Sequence, residues 1–393
     1  MKQIDDIFPA YINGGIGPCS TLRRFVRDAD YLKSRGYIFN LYSRDFLFGQ
    51  SFERPVDFSK GLKFRSFLKK VFKTSRVMTV AFQIRERREV KKLVLKYIGL
   101  GRTPDVMVFH EMTGAYLYMK YRKEKSAKIL LFHHSDGLKS KMLLDSYPKL
   151  KNTWWLKKIL KEYDWVNENV DRNIFIANIG KYNFIKENPR IAENTLVAFH
   201  NGIDDLPIVP KSQPTDYKYN LCTTGSVCRR KGQYIIVEAL NKVSEEAKKM
   251  IHVSVIGEGN DLEELRLKTK MYGLENNITF LGYMLNKDVH EYLCGCDAYI
   301  LMSSSEGLPI SIIEAMRAGL GIISTPVAGI PEQVSDDNGI LVNPNPKELA
   351  HVFENFDKYN WKKYGDNSRL KFEQEYTFPK MLSSFCDVVD GLF

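Results

Sequence analysis

The sequence predicts an α/β protein with two doubly wound domains, on the strength of three observations. A chain of 393 residues exceeds what one hydrophobic core usually organises, so two domains are expected. Hydrophobic content of 44% with 27% charged residues is ordinary for a folded chain. From residue 218 onward, short apolar runs alternate with segments of helical period. This alternation is typical of a parallel sheet covered by helices on both faces.

Four segments are expected in chain order. An N-terminal Rossmann-like domain covers residues 1–205, a linker covers 206–216, a C-terminal Rossmann-like domain covers 217–378, and a last helix in 379–393 packs back towards the N-terminal domain. Pro207, Pro210 and Pro214 mark the linker. Two such domains facing each other leave a cleft, which is where a ligand site is expected.

The C-terminal half shows the clearer pattern. Its expected strands are Tyr219–Thr224, His252–Ile256, Ile278–Leu281, Ala298–Met302 and Gly321–Ser324, and its expected helices are Gln233–Lys249, Asp261–Tyr272, Lys287–Leu293 and Pro309–Ala318. In the N-terminal half a helix, Thr21–Arg35, follows a glycine-rich turn. The expected strands there are Tyr37–Tyr42, Val106–His110, Lys128–Phe132, Asn173–Ala177 and Leu196–Phe199.

The net charge of +11 is unevenly distributed. The segment 63–96 is rich in Lys and Arg and carries apolar residues at helical spacing, namely Phe64, Phe67, Leu68, Val71 and Phe72. A basic amphipathic segment suits an anionic membrane surface, and a solvated helix face is the alternative. Nucleic acid is not an expected partner, because no nucleic-acid-binding module accompanies the charge.

Cysteine usage and hydropathy predict a cytoplasmic chain. The six cysteines form no CxxC pair, and Cys294 with Cys296 lacks the further ligands that a zinc site needs. No N-terminal apolar region of a secretory signal and no apolar stretch of membrane-spanning length is present. No metal and no other cofactor is expected.

The segment 303–316 is the strongest local signal. Glu306 lies in a loop after a predicted strand, and Pro309 suits the first turn of the helix that follows. Gly307 lets a ligand approach the backbone, and free N–H groups at a helix start favour a diphosphate or a sugar hydroxyl. Glu314 lies about two turns inside the helix, and carboxylates are good acceptors for vicinal hydroxyls.

This segment resembles the donor motif of the retaining glycosyltransferases of family 4, which have the GT-B fold. The resemblance includes Glu306 and Glu314 at the family's spacing, the turn 325–332 and the segment 338–342, and it runs from about residue 225 to residue 345. It implies that Glu306 contacts the transferred sugar and Glu314 the ribose. Donor contacts are also implied for Gly307, Leu308 and Pro309.

The same resemblance assigns roles elsewhere. Lys231 is implied to neutralise the departing diphosphate, and Ser226 stands where the family usually has an arginine, with Arg229 and Arg230 as candidates to replace it. His134 is implied to lie near the donor sugar, with His133 in reserve. Further donor contacts are expected from Gly15, Gly17, Ser226, Arg230, Lys231, Gly257, Tyr283 and Met284. Glu306, Lys231 and His134 are the expected catalytic residues.

The implied activity is that of a hexosyltransferase (EC 2.4). The sugar moves with retention from a UDP- or GDP-linked donor to a saccharide or lipid-linked saccharide, in capsule, O-antigen or exopolysaccharide synthesis. No DxD motif for a divalent metal is apparent, so leaving-group stabilisation by Lys231 without a metal is expected. The alternatives are a nucleotide-sugar 2-epimerase on the same fold and a non-enzymatic basic protein that binds membranes.

Overall fold

The computed structural model describes residues 1–10, 19–44, 75–138, 140–210, 212 and 214–393. The chain divides into two compact units, residues 1–199 with 382–393 and residues 200–381. Within the described residues each unit is built on a six-stranded sheet. All strand pairs in both sheets are parallel. The predicted fold class, α/β with two doubly wound parallel sheets, is confirmed.

The sheet of the first unit has the order β2-β1-β3-β4-β5-β6. Its strands are β1 Lys2–Phe8, β2 Tyr37–Ser43, β3 Val106–Phe109, β4 Lys128–His133, β5 Arg172–Phe175 and β6 Leu196–Ala198. Strand β1 was not expected, because Asp5 and Asp6 interrupt its apolar pattern. Both carboxylates are buried and hydrogen-bonded, Asp5 to Tyr97 and Arg102 and Asp6 to His110. These partners offset the cost of burying charge in a central strand.

The described helices of the first unit are α1 Cys19–Arg27, α2 Ala29–Ser34, α3 Arg76–Ile98, α4 Met112–Tyr121, α5 Lys141–Ser146, α6 Trp154–Asn169 and α7 Asn178–Glu187. The single helix expected over residues 21–35 is divided at Asp28, whose backbone leaves the helical region (φ −97°, ψ 28°). Aspartate favours helix caps over helix interiors, since its side chain competes for backbone hydrogen bonds.

Helices α3, α4 and α6 form one layer on the first sheet. Their apolar faces share a core cluster with the strands, to which Val94, Leu117 and Val166 belong. An ion pair between Arg87 Nη1 and Glu162 Oε2, at 2.7 Å, joins α3 to α6. The side chains of this pair are only 16% and 10% exposed, so the pair orients the two helices and with them the outer face of α6.

The sheet of the second unit has the order β12-β11-β10-β7-β8-β9. Its strands are β7 Tyr219–Thr224, β8 Ile251–Ile256, β9 Ile278–Gly282, β10 Ala298–Leu301, β11 Gly321–Ser324 and β12 Gly339–Leu341. This is the strand order of dinucleotide-binding folds, in which the chain direction across the sheet reverses between the first and fourth strands. Here those strands are β7 and β10. Ligands of such sheets bind outside the carboxyl ends of the strands at the reversal.

The helices that follow are α8 Gln233–Leu240, α9 Glu245–Met250, α10 Leu262–Met271, α11 Asn286–Cys294, α12 Ile310–Arg317, α13 Ile330–Gln333, α14 Pro346–Glu354, α15 Trp361–Glu375 and α16 Phe378–Asp390. The expected helix 233–249 is two helices, because the Ser244 hydroxyl accepts the N–H of Ala247 and starts a new one. Within the first unit, Phe385 of α16 packs edge-on against Phe25, with ring centroids 5.0 Å apart.

We predict that Gly232→Ala destabilises the second unit much more than Gly273→Ala. Both glycines have positive φ (72° and 65°), so each substitution costs about 1–2 kcal/mol of backbone strain. A Cβ on Gly232 would also lie 1.9 Å from the backbone oxygen of Met302, whereas one on Gly273 meets no described atom within 4 Å. The clash adds roughly 1–3 kcal/mol. Urea unfolding of the two variants measures the difference, and equal midpoints would contradict the prediction.

Candidate functional site

Two loops meet at the carboxyl ends of β7 and β10. The loop after β7 leads to a 3₁₀ turn, Arg229–Lys231, and the loop after β10 leads to the start of α12. The backbone N–H of Ser304 donates to the carbonyl of Arg230 at 2.8 Å. Gly232 lies against the backbone of Met302. Segments about seventy residues apart in sequence therefore share one site, at the point where the strand order reverses.

The carboxylate of Glu306 is the centre of this site. Its Oε1 lies 2.8 Å from Lys231 Nζ and 2.9 Å from Arg230 Nη1, and it accepts a hydrogen bond from Ser303 Oγ at 2.7 Å. The Glu306 side chain is 9% exposed and that of Lys231 is 13% exposed. Among the described residues these contacts converge on Oε1, which leaves lone pairs of Oε2 as acceptors for a ligand hydroxyl.

The two arginines of the 3₁₀ turn point to different partners. Arg230 contacts Glu306 and also donates from Nη1 to the carbonyl of Ser305 at 2.7 Å. Arg229 pairs with the exposed carboxylate of Glu264, and its guanidinium lies 5.1 Å from the ring centroid of Tyr234. Arg230 is therefore the arginine that adds positive charge at Glu306. Ser226 is exposed on the loop that precedes the turn.

The loop from Gly307 to Pro309 is held by Gly329 and Gln333, which follow β11. The carbonyl of Gly307 accepts the N–H of Gly329 at 2.9 Å, and the carbonyl of Pro309 accepts from Gln333 Nε2 at 3.2 Å. Leu308 buries its side chain, so its backbone is the part that faces a ligand. Ala328, which precedes Gly329, has φ +48°, which is uncommon for a residue with a side chain.

Pro309 precedes the helix instead of opening it. Helix α12 runs from Ile310 to Arg317, and Pro309 is the N-cap residue with extended backbone (φ −67°, ψ 118°). The fixed φ of proline suits both the N-cap and the first helical position. Helix α12 therefore begins one residue later than expected. Glu314 lies within α12 and is half-buried.

The glycine turn after β8 has a structural explanation. Gly257 has φ +135°, and a Cβ on it would lie 2.0 Å from the carbonyl oxygen of Gly225. The N–H of Gly257 donates to the carbonyl of Gly282 at 2.7 Å. Packing of three neighbouring strand ends therefore requires glycine at 257. Tyr283, which follows β9, is 72% exposed, and Met284 beside it is half-buried.

In the first unit, His134 belongs to a chain of three hydrogen-bonded residues. Its Nε2 lies 2.9 Å from His110 Nδ1, and His110 Nε2 lies 2.8 Å from Asp6 Oδ2. Burial lowers the pKa of His134 well below its usual range. Burial raises the pKa of Asp6, and His110 opposes that shift. Neither Asp6 nor His110 was selected from the sequence, although His110, like His134, was expected next to a strand end.

His133 has a different environment from its neighbour. Its ring is stacked on Phe175 at 4.6 Å, and Nε2 lies 2.9 Å from the side-chain oxygen of Asn173. Burial lowers the pKa of His133 to about 4. These contacts are those of a core histidine. His134, which is half-buried, is the better placed of the two for a ligand.

Some predicted features lie outside the described residues. They are Gly15 and Gly17 and, in the basic segment, residues 63–74 with their apolar side chains. In the described ranges, no cluster of three or more His, Cys, Asp or Glu is arranged to hold a metal ion. None of the described helices is both long and apolar enough to cross a membrane.

Comparison with known proteins finds similarity to glycosyltransferases. Residues 208–366, which include Lys231, Glu306 and Glu314, match the family described as Glycosyl transferases group 1. The uncharacterized glycosyltransferase MJ1069 of Methanocaldococcus jannaschii is 26% identical over 70% of this chain and 71% of its own. The O-antigen biosynthesis glycosyltransferase WbnH of Escherichia coli is 26% identical over 51% of this chain, and the match spans about half (53%) of WbnH.

The fold comparison extends over the whole chain. The crystal structure of Anabaena HepE (Alr3699) in complex with UDP covers 100% of both chains, with a TM-score of 0.69 and 15% sequence identity. This supports the two-domain GT-B fold. The family match and the named glycosyltransferases among the relatives support the predicted enzyme class, a glycosyltransferase.

We predict that Lys231→Met lowers the free energy of unfolding by about 1–3 kcal/mol, because it removes the buried partner of Glu306 while Arg230 remains. Arg229→Met is the matched control, since the Arg229–Glu264 pair is exposed (60% and 63%) and contributes little. Denaturant unfolding compares the two. Adding Glu306→Gln to Lys231→Met should recover part of the loss, and a larger loss for Arg229→Met would overturn the burial argument.

Proposed function

We propose that this chain is a retaining glycosyltransferase of family 4 that needs no metal ion. It moves a sugar from a nucleoside diphosphate sugar to a hydroxyl of a saccharide or lipid-linked saccharide. The pathway we infer is the synthesis of a cell-surface polysaccharide. The observation that carries the proposal is the contact of Lys231 and Arg230 with Glu306 at the carboxyl ends of β7 and β10.

Glu306 and the start of α12 supply the contacts for the donor sugar. Oε1 of Glu306 is engaged by cations and Ser303, and Oε2 accepts from a sugar hydroxyl. The backbone N–H groups of Gly307 and Leu308 donate to sugar or phosphate oxygens. Glu314, within the same helix, accepts from the ribose hydroxyls. HepE has been crystallised with UDP and with UDP and glucose, which supports a nucleoside diphosphate sugar as donor.

Lys231 and Arg230 supply the positive charge for the leaving group. The bond between the anomeric carbon and the diphosphate oxygen breaks as the bond to the acceptor oxygen forms on the same face of the sugar. The acceptor hydroxyl proton passes to a diphosphate oxygen, and the nucleoside diphosphate leaves. An ammonium has three N–H donors and a guanidinium has five, so both cations can bind Glu306 and phosphate oxygens together. Fixed cations stabilise charge that develops in the transition state.

The acceptor and the cellular location are inferred from the surface of α6. Its exposed residues form one stripe along the helix, namely Trp154, Lys157, Lys158, Lys161, Trp165, Glu168 and Asn169. Three of them are lysines, and Glu168 in the last turn is the one acid among them. The two tryptophans are 61% and 40% exposed. Tryptophan and lysine are the residues that favour the interface of an anionic membrane. We propose a cytoplasmic protein bound peripherally to the inner face of the plasma membrane, where a lipid-linked acceptor is found.

We predict that Glu306→Gln lowers kcat/KM for sugar transfer at least a hundredfold, the order of effect seen when one transition-state contact is lost. Glu264→Gln, a change to an exposed glutamate of the same unit, should leave it unchanged. The measurement is nucleoside diphosphate release from a panel of UDP- and GDP-sugars, with and without EDTA. Equal rates for the two variants would refute the site, and loss of activity in EDTA would refute metal independence.

A thermal-shift panel of nucleoside diphosphates and their sugars tests donor binding separately. A ligand at 100 times its Kd stabilises the folded state by about 2.7 kcal/mol. If no member of the panel raises the Tm of the unsubstituted protein, the donor assignment is wrong. A Tm increase without transfer in any acceptor assay would favour the 2-epimerase alternative, which C2 exchange detects.

We predict that the triple variant Lys157→Ser, Lys158→Ser, Lys161→Ser binds phosphatidylglycerol vesicles at least a hundredfold more weakly, since each lysine near an anionic surface contributes about 1 kcal/mol. A matched control replaces Lys287, Lys362 and Lys363, which are exposed on the second unit. Vesicle co-sedimentation, with pure phosphatidylcholine as reference, gives the measurement. Equal binding of both triple variants would exclude α6 as the membrane contact.

A further inference from the structure

The chain Asp6–His110–His134 crosses three neighbouring strands of the first sheet. Asp6 lies on β1, His110 follows β3 and His134 follows β4, and these strands are adjacent in the sheet. The register sets Asp6 opposite Val108 and Phe109 opposite Leu131. The three side chains therefore run from the interior of a central strand to the carboxyl edge of the sheet, close to the point between β1 and β3 where the strand order reverses.

We propose that Asp6 and His110 are positioning residues for His134. The proton shared by the Asp6–His110 pair decides whether His134 Nδ1 accepts or donates a hydrogen bond to a hydroxyl of a sugar ligand. The identity of the ligand, a sugar, rests on the proposed function. The change of the His134 tautomer does not depend on that function.

The hydrogen-bond directions follow from the chemistry of the three groups. An ionised Asp6 only accepts, so His110 Nε2 carries its proton and His110 Nδ1 accepts from His134 Nε2–H. Neutral His134 then has a bare Nδ1, which is an acceptor. One further proton on the pair, on either Asp6 or His110, places a proton on His110 Nδ1. His134 Nε2 must then accept, and the proton of neutral His134 moves to Nδ1, which becomes a donor.

The surroundings keep His134 neutral in both states. Its ring lies edge to edge with that of His110, with centroids 5.1 Å apart and the planes 20° from parallel, as their hydrogen bond requires. The Phe132 ring is nearly parallel to both, with centroids 6.0 Å from His134 and 4.9 Å from His110. Among the described residues, the titratable groups that act on His134 are His110 and His133, and those that act on Asp6 are His110 and Asp5. A second charge on His134 would be unfavourable beside a protonated His110. His134 therefore changes tautomer instead of charge.

Two neighbouring residues provide matched controls. Asp5 is the adjacent buried carboxylate of β1, but it contacts Arg102, Tyr97 and Asn40 and not the histidines. His133 makes its hydrogen bond outside the Asp6–His110–His134 chain, because Asn173 Nδ2 donates to the carbonyl of Asn167 and so presents its oxygen to His133 Nε2. The tautomer of His133 is fixed with the proton on Nε2.

The test is two-bond ¹⁵N–¹H NMR of the protein labelled in histidine, recorded over about two pH units either side of the usual imidazole pKa of about 6.5. Spectra of His134→Gln and His110→Gln assign the rings. We expect His134 Nδ1 to become protonated over the same pH range in which the Asp6–His110 pair takes up a proton. No imidazolium should form at His134. His133 should not change. A His134 tautomer that is constant across the titration, or a His134 that titrates to imidazolium by itself, overturns the proposal.

Asp6→Asn removes the negative charge beside His110 with little change in volume, so the extra proton is bound less readily and the change of His134 tautomer should move to lower pH. Asp5→Asn should leave the pH dependence in place. In the transfer assay, Asp6→Asn should move one inflection of the pH profile of kcat/KM to lower pH, a result that a purely structural role would not give. An inflection that stays at the same pH in Asp6→Asn counts against the proposal. If the His134 tautomer changes with pH in the NMR spectra and no transfer occurs with any donor, the proposed role of Asp6 and His110 stands and the proposed function fails.

Discussion

The parallel pairing of β7 with β10 is the constraint on which the candidate site depends. Ala298 lies opposite Leu221 and Tyr299 opposite Cys222, so the two strands end side by side. Because the other strands of the sheet extend outward from this pair, the loops after Thr224 and Leu301 rise next to each other at the reversal of strand order. Lys231 and Glu306 come into contact for this reason alone, since no local interaction could join residues so far apart in sequence.

Buried carboxylates in both units are held by specific partners. Glu306 has two cations and a hydroxyl on one oxygen. Asp5 has Arg102 and two hydrogen-bonding neighbours, and Asp6 has His110. A charge removed from water is costly unless it is paired, so each of these acids fixes the geometry of its surroundings. At Glu306 the result is an oriented pair of cations, and at Asp6 it is an oriented pair of imidazoles.

Close backbone packing supports these side chains. Gly232 lies against Met302, Gly257 against Gly225, and the carbonyl of Gly307 accepts the N–H of Gly329. Side chains at 232 and 257 would separate loops that must touch. The glycines at 232 and 257 are therefore explained by packing within the second unit.

The sequence by itself determined the fold class and the strands of residues 219–324, and it predicted a site at Glu306 and Lys231, because periodicity and motif spacing are local properties of the chain. It did not reveal β1, since two acids in a strand resemble a loop until their partners are known. It also left open the choice between Arg229 and Arg230, and it did not select Asp6 or His110. Those points depend on which strands are neighbours and which side chains are buried together. Only the tertiary structure decides them, because a hydrogen bond between distant residues leaves no periodic trace in the sequence.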